Sequence, residues 1–537
     1  MKSPFYAISY DIGTTGVKTC LFRISDRIEL LKGVSEGYNL YVFPDGGAEQ
    51  NPDEWWEAMC SCTKALMADV DIRPEQISGI SFCSQMQGLV LVDKEGIPVR
   101  PAMSYMDQRA VKELKKGIAH GPQIAGANIV KLLRSLAVTG AVAASVKDPV
   151  WKYKWVEANE PDTFKKVYKW LDVKESVIAR MTGECIMTRD SAFATLLYDI
   201  RKGKECWSKS ICDMLGVNME HLPKIVECHE KVGELREKQA TELGLHPGTA
   251  VYGGGGDASL IGIGAGCVRK GDTHIYCGTS GWVSTVVDKS IVDASAMIAA
   301  IVGAQKGLFN YFAEQETAGK CVEWVKDHLA LDEVDLYLNK EFDLSLKKAD
   351  HETVYTSLYD YLMATIDTVP AGCNGVIFTP WLHGNRCPFE DPNSRGMFFN
   401  LGLDTGKSEL IRAVVEGVCY HLRWMLETQD KKISTAKTIR FVGGSALSSV
   451  MCQMMADCTG RTIETVSSPQ NTGAVGAAAL IAFGSGAINS FDDVRKLVPA
   501  VSSFSPDPSK KAAYDRNFNV YKNLYASNKK NFSLLNG

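Results

Sequence analysis

Two carboxylates stand beside glycine-rich turns, and phosphate chemistry is what that pairing suggests. Tyr6 to Asp11 reads as a buried strand, followed by Gly13-Thr14-Thr15-Gly16 and a second strand, Val17 to Phe22. A turn of this kind offers successive backbone N–H groups and two hydroxyls with no bulky side chain in the way, the geometry that cradles an anion. A carboxylate beside a phosphate is tolerated when a divalent cation lies between them. Asp11 is therefore expected near Mg²⁺, directly or through water, and Lys18 supplies a positive charge just past the turn. An ordinary hairpin using Gly and Thr for turn geometry explains the same residues, and that alternative stays open on this segment alone.

The pattern returns half a chain later. His274 to Cys277 reads as a strand, Gly278-Thr279-Ser280-Gly281 as the turn, and Trp282 to Val286 as the returning strand. Two such hairpins suggest two related domains, each opening with the same device. A third cluster, Gly443-Gly444-Ser445, follows the strand Lys437 to Val442 and opens a helix running to Asp457. There the backbone can lie against an adenosine, and the helix N-terminus favours phosphates. Asp257 follows Gly253-Gly254-Gly255-Gly256 after the strand Ala250 to Tyr252. Four glycines destabilise as filler, so close packing or delivery of Asp257 to a ligand explains them better. A carboxylate at such a strand-to-helix turn can take the proton of an attacking hydroxyl. Capping of its own helix is the alternative.

Polar side chains also collect where loops leave short strands, at Gln85-Met86-Gln87-Gly88 and at Tyr105-Met106-Asp107-Gln108-Arg109. These loops are candidates to line a pocket for a polyhydroxylated ligand. Trp55-Trp56 reads as core, with a sugar platform as the lesser option.

The elements that must carry these residues follow an α/β pattern. Asp53 is the expected N-cap of a helix that begins after Pro52. Ile77 to Phe82 and Leu89 to Val92 read as two strands of a hairpin closed by the turn Asp93 to Gly96, and Glu409 to Glu427 has helical spacing of apolar residues. The Ala-rich stretch after Gly473 reads as a helix whose small side chains permit close packing on a neighbour. The segment from Pro506 onward reads as a charged, peripheral helix. The expected boundary lies near Gly266, giving domains 1–266 and 267–537.

Composition narrows the function classes. The 537 residues carry 59 Lys and Arg against 63 Asp and Glu, a net charge of −4 that argues against a nucleic-acid partner. No window holds the roughly 18 apolar residues of a membrane span, and the first residues lack a secretory apolar region. The 16 cysteines form no Cys-x-x-Cys pair and the 9 histidines no metal pattern. Reduced, buried thiols in a cytoplasmic protein are expected.

Together these blocks resemble the FGGY family of carbohydrate kinases, most closely its xylulokinase branch. They run in family order: Asp11 to Lys18, Glu49 to Trp56, Gln85 to Gly88, Asp107 to Arg109, Arg180 to Glu184 and Gly254 to Asp257. They continue with Gly278 to Gly281, Pro380 to Pro388, Asp391 to Gly396, Arg412 to Gly417 and Gly443 to Ser445. The resemblance implies two actin-like, ribonuclease H-like domains around an ATP cleft. It implies Asp257 as general base, Asp11 as the group that helps place Mg²⁺ and phosphate, and Gly278-Thr279 at the γ-phosphate. Thr14, Thr15 and Lys18 would complete the phosphate site, Gly443, Gly444 and Ser448 would lie near adenosine, and Met86, Gln87, Asp107 and Asp257 would meet the sugar.

Two departures bear on the sugar. The family branch usually reads Gln-Met-His-Gly where this chain has Gln87, and carries Asn after the catalytic Asp where this chain has Ala258. Each changes hydrogen bonds worth about 1 kcal/mol. The resemblance therefore implies transfer from ATP to a sugar, a ketopentose such as xylulose first, with ribulose, gluconate, glycerol or erythritol as other acceptors. A non-catalytic ATP-binding sensor or an actin-like assembly protein on the same superfold is the rival from another class. The oligomeric state stays open, a homodimer included.

Overall fold

The computed structural model describes residues 4–124, 127–329 and 358–537. Both glycine turns form as hairpins. β1 (Phe5–Ile12) and β2 (Gly16–Ile24) pair antiparallel with Ile12 opposite Val17, and β3 (Ile28–Gly37) continues the meander. Helix α1 (Pro52–Ala68) is capped by Asn51 and not by Asp53, whose amide donates to the Asn51 side chain, and it leads to β4 (Ile77–Ser84), which pairs parallel with β1. Helices α2 (Pro149–Asn159) and α3 (Val173–Thr182) precede β5 (Lys231–Glu234) and β6 (Ala250–Tyr252). The N-terminal sheet then reads β5-β6-β4-β1-β2-β3, and α4 (Asp257–Gly264) leaves it.

The second half repeats the plan. β7 (Thr273–Cys277) and β8 (Gly281–Val287) form the second hairpin, and β9 (Val292–Asp293), β10 (Ile298–Val302) and β11 (Phe309–Gln315) extend it. Helices α5 (Gly319–His328) and α6 (Lys407–Asp430) lead to β12 (Thr438–Val442), α7 (Ser449–Thr459), β13 (Thr462–Val466), α8 (Thr472–Gly484), β14 (Ala500–Phe504) and α9 (Lys511–Asn536). The sheet order is β9-β10-β11-β8-β7-β12-β13-β14. Three antiparallel strands, two parallel ones and a final antiparallel strand occur in the same sequence as β3-β2-β1-β4-β6-β5. The echo of turn chemistry is thus an echo of topology.

A buried apolar cluster joins the halves. It gathers Ala7, Phe22 and Cys83 from the first sheet, Val442, Val466 and Trp282 from the second, and the apolar sides of α4 and α8. The two helices touch backbone to backbone: a Cβ on Gly264 would run into the Thr472 carbonyl, and one on Gly476 into that of Leu260. Small residues in the Ala-rich helix therefore set the distance between the lobes' inner helices.

Three elements differ from expectation. Val90–Val92 does not form a hairpin with β4; it pairs with Lys169–Leu171, because strand-forming composition carries no information about the partner. The turn at Asp93 does form, with the Asp93 amide donating to Ile97 O at 2.9 Å. α9 is not peripheral: Tyr514, Phe518, Tyr521 and Leu524 are buried in the C-terminal core, since the aromatic residues recur at helical spacing between the charges. The helix after Gly443-Gly444 begins only at Ser449, behind a short 3₁₀ turn over Gly444–Leu447.

Gly476→Ala tests the helix contact by sign. In an exposed helix interior this change stabilises by about 0.5–1 kcal/mol; here overpacking costs about 1–3 kcal/mol. The expected outcome is a lower thermal midpoint by calorimetry, and an unchanged or higher one contradicts the close approach.

Candidate active site

Asp11 occupies the end of β1, partly exposed, with its carboxylate against the first turn of α8. A Cβ on Gly473 would lie 3.2 Å from Asp11 Oδ2 and 2.7 Å from Cys83 Sγ. Burial pushes the Asp11 carboxyl above its ordinary range, and Lys18 opposes that shift. The positive end of α8 also favours its charged form. The turn itself is tightly held. Gly13 N–H donates to Gly16 O at 2.9 Å, the Tyr38 hydroxyl donates to Gly13 O at 2.6 Å, and Gln50 Nε2 donates to Thr14 O at 2.6 Å. Asp11, Thr14, Thr15 and Lys18 line one hollow of about 380 Å³.

Lys18 also faces a second, larger hollow. This cavity of about 790 Å³ is lined by Gly278 and Thr279 of the second turn, Gly444, Ser445 and Ser448 of the third cluster, and Gly319, Lys320 and Gln470. Lys18 Nζ crosses from the first lobe to donate to Gln470 O at 3.3 Å. The second turn is braced by the start of α5, where Ala318 N–H donates to Thr279 O at 3.0 Å and Gly319 N–H to Gly278 O at 2.7 Å. Gly443 is buried with φ of +96°, and a Cβ there would come within 2.5 Å of Cys277 O. It supports the loop, while the exposed Gly444 has open space above it. Ser448 caps α7 by accepting from Met451 N–H at 3.3 Å.

The four-glycine loop is explained by contact on every side. Gly254 has φ of +69° and presses on the backbone of Phe82 in β4, while a Cβ on Gly256 would displace Met86. The Gly256 amide donates to Asp190 Oδ2 at 2.8 Å. Burial pushes Asp190 up, but Lys174 and hydrogen bonds from Thr188 and Gly256 bring it below the usual carboxylate range, so an ionised anchor fixes the loop. Asp257 follows as the first residue of α4, its Oδ1 accepting from Ala258 N–H at 2.7 Å. Gly256 rather than Asp257 stands at the N-cap of α4, and Asp257, partly exposed, bonds only the amide next to it. Burial pushes its carboxyl up to about 7, and the negative charges of Asp11 and Glu314 add to the shift.

Glu314 brings the second lobe to this point. It pairs with Arg386 of the Pro380–Pro388 segment, which also holds Glu316 at 2.7 Å. The structure therefore brings together Asp11, Lys18, Gly278, Thr279, Gly444 and Ser448 around adjoining hollows, with Asp257 within electrostatic reach of Asp11. Met86 contacts the Asp257 loop, and Gln87 is next to it with a left-handed backbone, φ +64°. Asp107 is not at the surface of any hollow: it is 0% exposed, and its carboxylate is filled by Ala48 N–H at 2.9 Å and the Arg109 guanidinium at 2.7 Å. Trp55 and Trp56 are core, as expected.

Residues outside the sequence reading take part as well. Gln470 and Lys320 carry no motif, and Asp190 no local signal. Lys152 is one of two lysines inside the aromatic run Trp151 to Trp155, and its complete burial separates it from Lys154. Among the described residues no group of three or more Asp, Glu, His or Cys could hold a metal ion, and no helix is long and apolar enough to cross a membrane.

Two lobes that repeat one strand order and bring glycine turns to adjoining hollows fit the actin-like ATPase fold, which sugar kinases share with non-catalytic proteins. Family models agree with that fold: residues 6–264 match the N-terminal domain of the FGGY family of carbohydrate kinases and residues 274–485 its C-terminal domain. The chain belongs to that family. It is 28% identical to the xylulose kinase of Bacillus subtilis (strain 168) over 525 residues, covering 98% of this chain and 97% of the relative. It is 27% identical to the gluconokinase of the same strain over 526 residues, covering 97% and 95%. Its fold superposes on the crystal structure of a ligand-bound xylulose kinase from Lactobacillus acidophilus with a TM-score of 0.83 at 24% identity, covering 99% of each chain.

The raised Asp257 has a measurable consequence for stability. Unfolded, an Asp titrates near 3.9; folded, this one titrates near 7. Between those values the folded chain holds the extra proton, so the charge costs stability as pH rises, and the full cost is present above about 7. Asp257→Asn, without nucleotide or metal, is expected to raise the thermal midpoint at pH 8 and leave it nearly unchanged at pH 4. Equal shifts at both values contradict the assignment.

Proposed function

We propose that this carbohydrate kinase transfers the γ-phosphate of ATP to a hydroxyl of a neutral ketose, a ketopentose such as xylulose first, with Asp257 as general base. The observation that carries the reading is the Asp257 carboxyl, held near pH 7 beside Asp11 at the meeting of the lobes. A base titrating close to working pH is the one that balances being deprotonated against being basic enough to accept a proton. Asp257 takes the proton of the acceptor hydroxyl as its oxygen approaches phosphorus in line. Backbone N–H groups of the Gly13–Gly16 and Gly278–Gly281 turns, with Lys18, stabilise charge on the phosphoryl oxygens. Thr14, Thr15, Gly278 and Thr279 orient the phosphates, and Gly443, Gly444 and Ser448 support the adenosine end.

Mg²⁺ fits the donor set as a partly protein-held ion. Asp11 is a single desolvated carboxylate in the hollow, which suits a cation bound through one or two carboxylates, phosphate and water. When bound, Mg²⁺ would supply charge neutralisation between Asp11 and the phosphates. Asp107 serves the pocket indirectly, by holding Arg109 over the Trp155 ring at 4.3 Å.

Charge around the acceptor loops favours a neutral sugar. Arg100 is held by Glu160 at 2.9 Å and by Glu49, Arg109 by Asp107 at 2.7 Å and by Glu49, and Lys152 spends its hydrogen bonds on backbone carbonyls. A sugar acid would need one of these cations released. The likeness to a gluconokinase supports an aldonate as the second reading. The free thiols throughout suit a reducing compartment, and we assign the enzyme to the cytoplasm.

Coupled ADP release across pentuloses, hexuloses, polyols and aldonates, in parallel with Asp257→Ala, tests the proposal. The expected result is turnover with a neutral ketose and a loss of about 10²–10⁴-fold in Asp257→Ala with nucleotide binding retained. Turnover of gluconate alone refutes the neutral acceptor, and an active Asp257→Ala refutes the base.

A further inference from the structure

Gln87 adopts a left-handed backbone, φ +64°, that a non-glycine residue occupies only when its surroundings enforce it. The enforcing groups are buried charges. Asp172, 4% exposed at the start of α3, accepts from Gln87 N–H and from Gly88 N–H, each at 2.9 Å, through its two oxygens. Lys152, 0% exposed on α2, donates from Nζ to Gln87 O at 2.7 Å. The same ammonium donates to Ser104 O at 2.8 Å, and Ser104 leads directly into Tyr105–Arg109. One cation therefore ties together the Gln85–Gly88 and Tyr105–Arg109 loops. The tie reaches the base, because Met86 packs where Gly256 lacks a Cβ, one residue before Asp257.

Burying an ammonium this completely is costly unless its hydrogen bonds are satisfied. A fold requiring only an apolar filler beside Trp151 and Tyr153 would be served by Met or Leu at no such cost. What an apolar residue cannot do is hold two carbonyls from separate loops at a fixed separation.

We propose that Lys152 and Asp172 form a clamp that sets the backbone of Gln87 and the spacing of the two acceptor loops, making Lys152 a positioning residue for sugar selection. The inference rests on the reading above that the Gln85–Gly88 loop meets the sugar. The clamp acts on the acceptor and not on the nucleotide, whose hollow lies against the other lobe.

The test uses the full chain with Lys152→Met, Asp172→Asn, Gln87→Gly and the Lys152→Met/Gln87→Gly double variant, with D-xylulose, D-ribulose and D-gluconate as acceptors. Loss of one charge-assisted hydrogen bond to the loop predicts a rise of about tenfold in the sugar KM, with the ATP KM within about twofold. Glycine takes φ +64° without strain, so in the Gln87→Gly background the effect of Lys152→Met should shrink to about threefold or less. Parallel rises in both KM values, or effects that simply multiply in the double variant, overturn the clamp. If Lys152→Met does not fold, Asp172→Asn reads the same split between sugar and ATP. An unmoved sugar KM in an enzyme still dependent on Asp257 refutes the clamp alone; activity that survives Asp257→Ala refutes the underlying reading.

Discussion

Two carboxylates share a poorly solvated space in this molecule, and the rest of the site is arranged around that fact. Asp11 at the end of β1 and Asp257 at the start of α4 lie within electrostatic reach of each other, where burial and repulsion disfavour two negative charges. Such an arrangement is stable enough to fold because Asp257 holds a proton more readily than a surface Asp, and because Lys18 and the first turn of α8 lie beside Asp11. In the proposed reaction, phosphate and a divalent cation would fill the space. The same desolvation that costs stability makes Asp257 basic near neutral pH.

Bringing those carboxylates together depends on backbones that approach more closely than side chains allow. Glycines at 254 and 256 let the Asp257 loop lie on β4 and under Met86, and Gly264 and Gly476 let α4 and α8 touch. The two sheets repeat one strand order, so each lobe offers an equivalent hairpin turn to the cleft. Asp190, anchored by Lys174 and Thr188, fixes the loop from behind. Stability and chemistry thus draw on the same contacts, which explains why small residues are concentrated there.

The two glycine turns were legible in the chain because their information is local. Gly-Thr-Thr-Gly between two apolar runs specifies a hairpin wherever it lies, and its recurrence exposed the repeated architecture. The place of Asp257 at a strand-to-helix turn was legible for the same reason, behind four glycines. Asp107 was not: its pairing with Arg109 and the Ala48 amide is a matter of packing. Lys152 and Asp172 reach Gln87 from far along the chain, and no spacing rule connects them. The aromatic stripe of α9 was hidden by the charges between its members, and Val90–Val92 showed its strand character without showing its partner.

The ternary complex with a non-hydrolysable ATP analogue, Mg²⁺ and the sugar selected by the ADP-release screen tests the central claim most directly. In its crystal structure the Asp257 carboxylate should lie within about 2.6–3.2 Å of one sugar hydroxyl, with that oxygen in line with the γ-phosphorus. A hydroxyl approached by a different side chain, with Asp257 turned back onto its own helix, would contradict the account.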